Sequence, residues 1–566
     1  MNPYVKFNPQ ERKVAYFSME VGLRPEIPTY SGGLGILAGD TLKSFADLTV
    51  PAVGVTLLYT KGYFHQEIDP EGNQIEIPVN WRPTDYLTLL RDKVTVEIEG
   101  RTVLIQAWVY AVEGVTGYKV PVLFLDTNLD LNTPEDREIS AALYGGDERC
   151  RLKQEIVLGL GGAQMLQILD HDNLEAYHMN EGHAALLTLD LMDRYQQNLE
   201  KVKELCVFTT HTPVPAGHDS FAVNMARQVL CPKYQLDNLR HNHIIGADDR
   251  LNLTYLALYH AEYINGVAQK HGETSQKMFP EYRIDAITNG IHSRTWICDE
   301  LAAVLDRHIP NWRRDSYALR HALDIPREEI WRAHQAAKSR LFAFVKEQCG
   351  MALDPEVLTI GFARRSATYK RATLLLRDPE RLRKIISDAG PLQFIFAGKA
   401  HPADIQGKKL IREIHQLGRE LRDSIKIVYI PNYDMYRAKI LVSGVDVWLN
   451  TPLRPLEASG TSGMKAAANG VINFSVLDGW WIEGHIDKVT GWSIGPRHIH
   501  EQIATKTVDI VDAEDLYNKL EQQIIPCFYQ NRNQWAAMMA YNIALNGSFF
   551  NTHRMVSQYV LEAYFQ

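Results

Sequence analysis

With 566 residues the chain is too long for one core, which predicts either several domains or two large ones. Its make-up of 45% hydrophobic, 23% charged and 10% aromatic residues is that of a globular protein, and no tract is depleted of apolar residues as a disordered tail would be. The 60 basic and 68 acidic residues give a net charge of −8, which argues against general binding to nucleic acid or anionic membrane and leaves a local basic pocket open.

Six cysteines (Cys150, Cys206, Cys231, Cys298, Cys349 and Cys527) lie far apart, with no CxxC pair and no Cys/His spacing of a zinc site. They read as reduced and mostly buried, and no metal is expected. The amino terminus lacks a signal-like apolar run, and no stretch of about 18 apolar residues offers a membrane span. These absences predict a cytoplasmic protein.

In chain order, Ser31-Gly32-Gly33-Leu34-Gly35 precedes a helical pattern over 36–46. Residues 69–118 alternate β-branched positions and predict an inserted antiparallel piece. Helical periodicity spans 148–169. A strand over 174–179 then runs into Asn180-Glu181-Gly182-His183, and another over 204–210 runs into His211-Thr212-Pro213. Both polar clusters fall at strand ends, where open α/β sheets place ligands.

Thr288-Asn289-Gly290 breaks the pattern. A long helix over 327–348 precedes strands at 357–363, 392–397, 425–430 and 445–450, separated by helices, one of them over 404–421. The expected fold is α/β, two Rossmann-like halves facing a cleft. The predicted domains are 1–295, 296–530 and a helical segment 531–566 returning to the first.

Three segments carry chemistry. Glu457-Ala458-Ser459-Gly460-Thr461-Ser462-Gly463-Met464-Lys465 opens a helix with small residues and hydroxyls, so its N–H groups can meet a phosphate or oxyanion. Lys465 lies among Met464 and alanines, where apolar surroundings favour an uncharged, nucleophilic amine; composition alone also allows a plain cap with a solvent-reaching lysine. Arg364-Arg365-Ser366-Ala367-Thr368-Tyr369-Lys370-Arg371 places four cations in eight residues at a strand end, enough to meet two phosphates or to form a solvated basic turn. The glycines from Gly32 to Gly35 could bring backbone amides against a phosphate, or simply make a turn.

Glu457 to Lys465, with Asn469-Gly470 and Leu477-Asp478-Gly479, resembles the cofactor-lysine segment of the glycogen and maltodextrin phosphorylases. Ordered blocks of the resemblance run from about Tyr16 to Glu483. It implies an α-1,4-glucan phosphorylase of GT-B architecture, with pyridoxal 5′-phosphate as a Schiff base on Lys465 and Thr461 and Ser462 near its phosphate. Arg365 and Lys370 would bind substrate phosphate, and Arg364 would sit near the cofactor. Glu457, Ser459, Gly460 and Asn289 would meet sugar hydroxyls, His211 and His183 the glucosyl unit, and Gly33 and Leu34 the phosphate side. Tyr433 would pack near the pyridine ring. By themselves His183 is equally a core histidine and Tyr433 a loop tyrosine.

The family's reaction releases glucose 1-phosphate with retention, the cofactor phosphate relaying a proton through inorganic phosphate, so no pair of protein carboxylates is required. The implied partners are α-1,4-glucan or maltooligosaccharide, inorganic phosphate and a second copy of the chain. The chain is shorter than the animal and plant enzymes, which leaves no room for their amino-terminal regulatory extension. Residues 219–282 match less well, so glucan length preference stays open. Competing readings are a nucleotide-sugar glucosyltransferase of the glycogen-synthase kind and an inactive glucan-binding protein.

Overall fold

The computed structural model describes residues 3–234, 236–240, 243–496 and 505–565. These form two compact units. The first comprises residues 1–64, 78–288 and 555–566, and the second residues 65–77 and 289–554.

The first unit is built on a nine-stranded sheet. Its order is Asp285–Ala286, Tyr263–Gly266, Cys206–Thr209, Ala176–Asn180, Val14–Ser18, Ala52–Leu57, Lys119–Asp126, Arg101–Glu113 and Thr88–Ile98. The first seven run parallel and the last two add an antiparallel edge. Strands such as Val14–Ser18 and Ala52–Leu57 are buried at every position, so they read as unbroken apolar runs rather than alternations. Arg101–Glu113, half-buried on one face and buried on the other, alternates.

The second unit holds six parallel strands in the order Lys426–Ile430, Leu392–Ala397, Leu358–Ala363, Val447–Asn450, Ile472–Val476 and Gly491–Ile494. The chain works outward from Leu358–Ala363 on one side and then restarts at Val447–Asn450 on the other. The two central strands therefore end at a topological switch point, and the loops leaving them, 364–371 and 451–460, emerge side by side. Arg327–Cys349, ended by Gly350 at φ 69°, supports this sheet. Its His334 and Lys338 reach the fully buried Asp446 at 2.8 and 2.7 Å.

Three expectations need correction. The second sheet has six strands, because Ile472–Val476 and Gly491–Ile494 extend it beyond the four that were evident. Residues 531–554 belong to the second unit, and only 555–566 join the first, where Tyr564 and Tyr559 hydrogen-bond His178 and Thr209 at 2.7 and 3.1 Å. The antiparallel block divides. The hairpin His65–Ile68 with Gln74–Ile77 belongs to the second unit, tied by Gln66 to the Gly398 carbonyl (2.9 Å) and by Gln74 to the Ala400 carbonyl (2.9 Å). The longer strands remain in the first.

Candidate functional site

In the second unit the loops at the switch point converge on one carboxylate. Lys370 Nζ lies 3.0 Å from both oxygens of Glu457, and Arg364 Nη1 lies 2.5 Å from Oε2. Arg364 also bonds the Asn450 side chain at the end of the adjacent strand. Glu457 and Lys370 are buried and Arg364 is largely so. Burial alone would raise the Glu457 carboxyl, but the two cations outweigh it and hold it at about 2. Lys370 is lowered as well, but for the opposite reason, since its charged form is the one disfavoured. Burial, then repulsion from Arg364, lowers its ammonium despite Glu457. Two cations on one carboxylate leave an excess of positive charge in a desolvated place, a site able to accept an anion. The Tyr369 ring lies 4.3 Å from the Lys370 ammonium, and its hydroxyl is lowered because that charge outweighs burial. Arg365, expected beside Lys370, is exposed.

Next to these loops Thr461–Ala468 forms a short helix capped by Gly460 at φ 86°. Thr461 and Lys465, four residues apart, share a helix face. Lys465 is buried among Met464 and Ala466 to Ala468, as composition suggested, and its amine stands 3.9 Å over the Trp296 ring. Asn469 fixes that arrangement by donating to the Trp296 and Lys465 carbonyls, both at 2.9 Å. Ser462 Oγ accepts from the Trp448 indole at 3.2 Å. Gly463 has no room for a side chain, since a Cβ would stand 2.6 Å from Asn473 Oδ1 and 2.9 Å from the Trp480 ring. Tyr433 is half-buried, packs against the sheet core, and has its hydroxyl raised by burial. Two further groups in this unit, Ser459 Oγ and Asn289 Oδ1, are buried without a hydrogen-bond partner among the described residues. Such atoms need a polar ligand or water.

The first unit gathers the other predicted residues at the carboxyl ends of its parallel strands. Glu181, held at φ 75°, is buried and accepts from the Gly182 and His211 amides (3.1 and 2.8 Å) and from the Thr212 hydroxyl (2.9 Å). Positive φ in a glutamate is costly, and this triple anchorage maintains it. The tautomer of His211 follows from its neighbours. Ser18 donates its hydroxyl to the Glu20 carbonyl, so its oxygen accepts from Asn180 Nδ2, turning Asn180 Oδ1 toward His211 Nε2 at 2.6 Å. An amide oxygen only accepts, so Nε2 carries the proton and Nδ1 keeps a lone pair. Burial, with minor repulsion from neighbouring histidines, holds His211 neutral by lowering it to about 3. His183 is likewise lowered to about 3 by burial, and its Nε2 lies 3.4 Å from Asp219, which also pairs with Arg151 at 2.8 Å.

Gly33 and Leu34 open the helix Gly33–Asp47. The amides just before them, Ser31 and Gly32, are bound by Glu20 at 2.5 and 3.1 Å, and a Cβ on Gly32 or Gly33 would meet nothing within 4 Å. That turn therefore faces open space, with its tightness supplied by Glu20. Glu20, Asp219, Trp296 and Asp478 were not singled out from the sequence as site residues. Glu20 was discernible as an acid just beyond a strand end, whereas Trp296 and Asp219 carry no local signal and are brought in by tertiary packing.

The fold and these sites define an α/β protein that gathers buried cations and, among the described residues, unpaired buried polar atoms in the loops at the carboxyl ends of parallel strands. The carbohydrate phosphorylase family model matches residues 25–112 and 150–491, and the chain belongs to that family. It is 40% identical to the maltodextrin phosphorylase of Thermococcus litoralis, over 98% of this chain and 70% of that protein. It is 36% identical to the glycogen phosphorylase of Aquifex aeolicus, over 100% and 88%, and 36% identical to that of Mycobacterium tuberculosis, over 97% and 70%.

The residues present fit the pyridoxal phosphate that the family implies. An amine lies on an aromatic face, hydroxyls and amides open the same helix, and the orphaned Ser459 hydroxyl and surplus cations lie in the adjoining loops.

Proposed function

We propose that this chain is an α-1,4-glucan phosphorylase, which transfers the terminal glucosyl unit of a glucan or maltooligosaccharide to inorganic phosphate with retention, releasing α-glucose 1-phosphate. The observation that carries the reading is the buried excess of positive charge on Glu457, beside a helix-borne lysine, in a chain of this family. A nucleotide-sugar glucosyltransferase is not favoured, because relatives aligned over nearly the whole chain are named phosphorylases.

In this reading Lys465 holds pyridoxal phosphate, with Thr461, Ser462 and Arg364 around its phosphate, Tyr433 against its ring and Gly33 on the same side. When bound, that group supplies a second phosphate able to give and take a proton beside the substrate's. Arg365 and Lys370 bind inorganic phosphate and neutralise crowded charge, a preorganised electrostatic contribution. Glu457, Ser459, Gly460 and Asn289 orient the sugar. His211, neutral and with its Nε2 proton committed to Asn180, offers its remaining ring nitrogen or its backbone to the glucosyl unit, with His183, Gly33 and Leu34 completing the contacts. The reading includes the GT-B arrangement and a homo-oligomer in solution.

The test is phosphorolysis of a maltooligosaccharide ladder, detecting glucose 1-phosphate, with wild type and Lys465→Ala. The variant loses cofactor absorbance and phosphorolysis together. Full activity without bound cofactor overturns the assignment.

A further inference from the structure

The loop 457–460 has no regular structure, so its backbone groups must be paired from elsewhere. The turn that follows Ile472–Val476 supplies the pairing. Asp478 is buried, its Oδ2 accepting the N–H of Glu457 at 2.9 Å and its Oδ1 the N–H of Gly479 at 3.0 Å. Two residues on, the Trp480 N–H donates to the Ser459 carbonyl at 2.9 Å. Gly479 lies between them at φ 54°, and a Cβ there would stand 2.3 Å from the Ser459 oxygen. The turn is flush against the loop and grips it at two points, one of them a carboxylate.

We propose that Asp478 is a positioning residue for the transfer reaction, fixing the backbone at Glu457 and through it the side chain that gathers Arg364 and Lys370. This inference rests on the assignment of Glu457 to the substrate site. An ionised carboxylate can accept both N–H groups, whereas an asparagine offers one acceptor and turns its NH2 toward the other donor. Burial, aided by the nearby Glu457 charge, lifts the Asp478 carboxyl to about 7, although both N–H bonds and the Lys370 charge favour its ionised form. A hydrophobic residue would fill the space, but it would leave the Glu457 amide unpaired.

The test is a double-mutant cycle on the holoenzyme, using Asp478→Asn, Glu457→Gln and the pair, with kcat/KM for maltooligosaccharide phosphorolysis and cofactor absorbance as readouts. Asp478→Asn is expected to lower kcat/KM on the order of tenfold in the wild-type background, and less than about twofold once Glu457→Gln is present, with cofactor retained. Equal factors in both backgrounds would show that Asp478 acts on the fold alone and would overturn the proposal, as would wild-type kinetics in Asp478→Asn. Should the asparagine variant fail to hold cofactor, the same cycle with Asp478→Glu, which keeps the charge and shifts the acceptors by one methylene, decides between the same outcomes. Glu457→Gln with unchanged kinetics would instead remove the underlying assignment. An impaired Glu457→Gln beside a harmless Asp478→Asn would remove only the positioning role.

Discussion

At the scale of single residues, Glu457 and Asp478 are adjacent buried acids displaced in opposite directions. Glu457 falls from 4.5 to about 2, so its contribution to stability is complete above its unfolded value and is lost as pH falls toward 2. Asp478 rises from 3.8 to about 7, so between those values the folded protein keeps a proton that the unfolded chain has released, and stability declines as pH rises through that window. Thermal unfolding across pH 4 to 7 should therefore show a shallower decline in Asp478→Asn than in wild type. Glu457→Gln leaves two buried cations without their carboxylate, and removing one partner of such a pair costs about 3–5 kcal/mol. A calorimetric scan of that variant should show a lower transition, partly restored by added phosphate. The sequence displayed the cationic run and the lysine plainly, since both are local strings. It did not show that Arg364 and Lys370 would share Glu457, because that pairing joins two loops distant in sequence.

Among elements, the parallel strands read over 174–179, 204–210, 357–363, 392–397, 425–430 and 445–450 were legible as short apolar runs bounded by polar breaks, whereas the equally buried Val14–Ser18, Ala52–Leu57 and Ile472–Val476 were not singled out. Gly491–Ile494 escaped because it is four residues long and includes a glycine and a serine. The hairpin 65–77 escaped for another reason. Its side chains are mostly polar, and amide pairing ties it to the second unit. Gln66 donates to the Gly398 carbonyl and accepts from the Asn432 amide (2.8 Å), while Gln74 donates to the Ala400 carbonyl and accepts from its N–H (2.9 Å). Both glutamines are buried, and buried donors or acceptors left unmet cost about 1–3 kcal/mol each. Hydrogen exchange should accordingly speed up at residues 66–77, 398–400 and 432 in the Gln66→Ala/Gln74→Ala variant. The strands 358–363 and 447–450 should be unaffected, and uniform acceleration across the second sheet would contradict a local tether.

For the whole molecule, alternation of strands and helices suggested two α/β halves meeting near residue 295, whereas the compact units divide after residue 288. Periodicity could not reveal which unit the smaller pieces join, because that depends on contacts distant in sequence. The last segment is the clearest case. Tyr564 meets His178 Nδ1, Tyr559 meets Thr209 and Asn265, and His178 Nε2 meets Thr209, so two tyrosines complete a buried polar column in the first unit. Removing residues 555–566 should lower the first unit's thermal transition and raise proteolytic sensitivity around 176–180 and 206–209, measured by limited digestion. An unchanged digestion pattern would show the column to be dispensable.

The backbone passes from one unit to the other after residues 64, 77, 288 and 554. No single cut yields two whole halves, so separate expression of either requires at least one piece to be grafted back. During translation the consequence is an order of events. The polar column around His178 stays incomplete until residues 555–566, which follow every residue of the second unit along the chain, have been made.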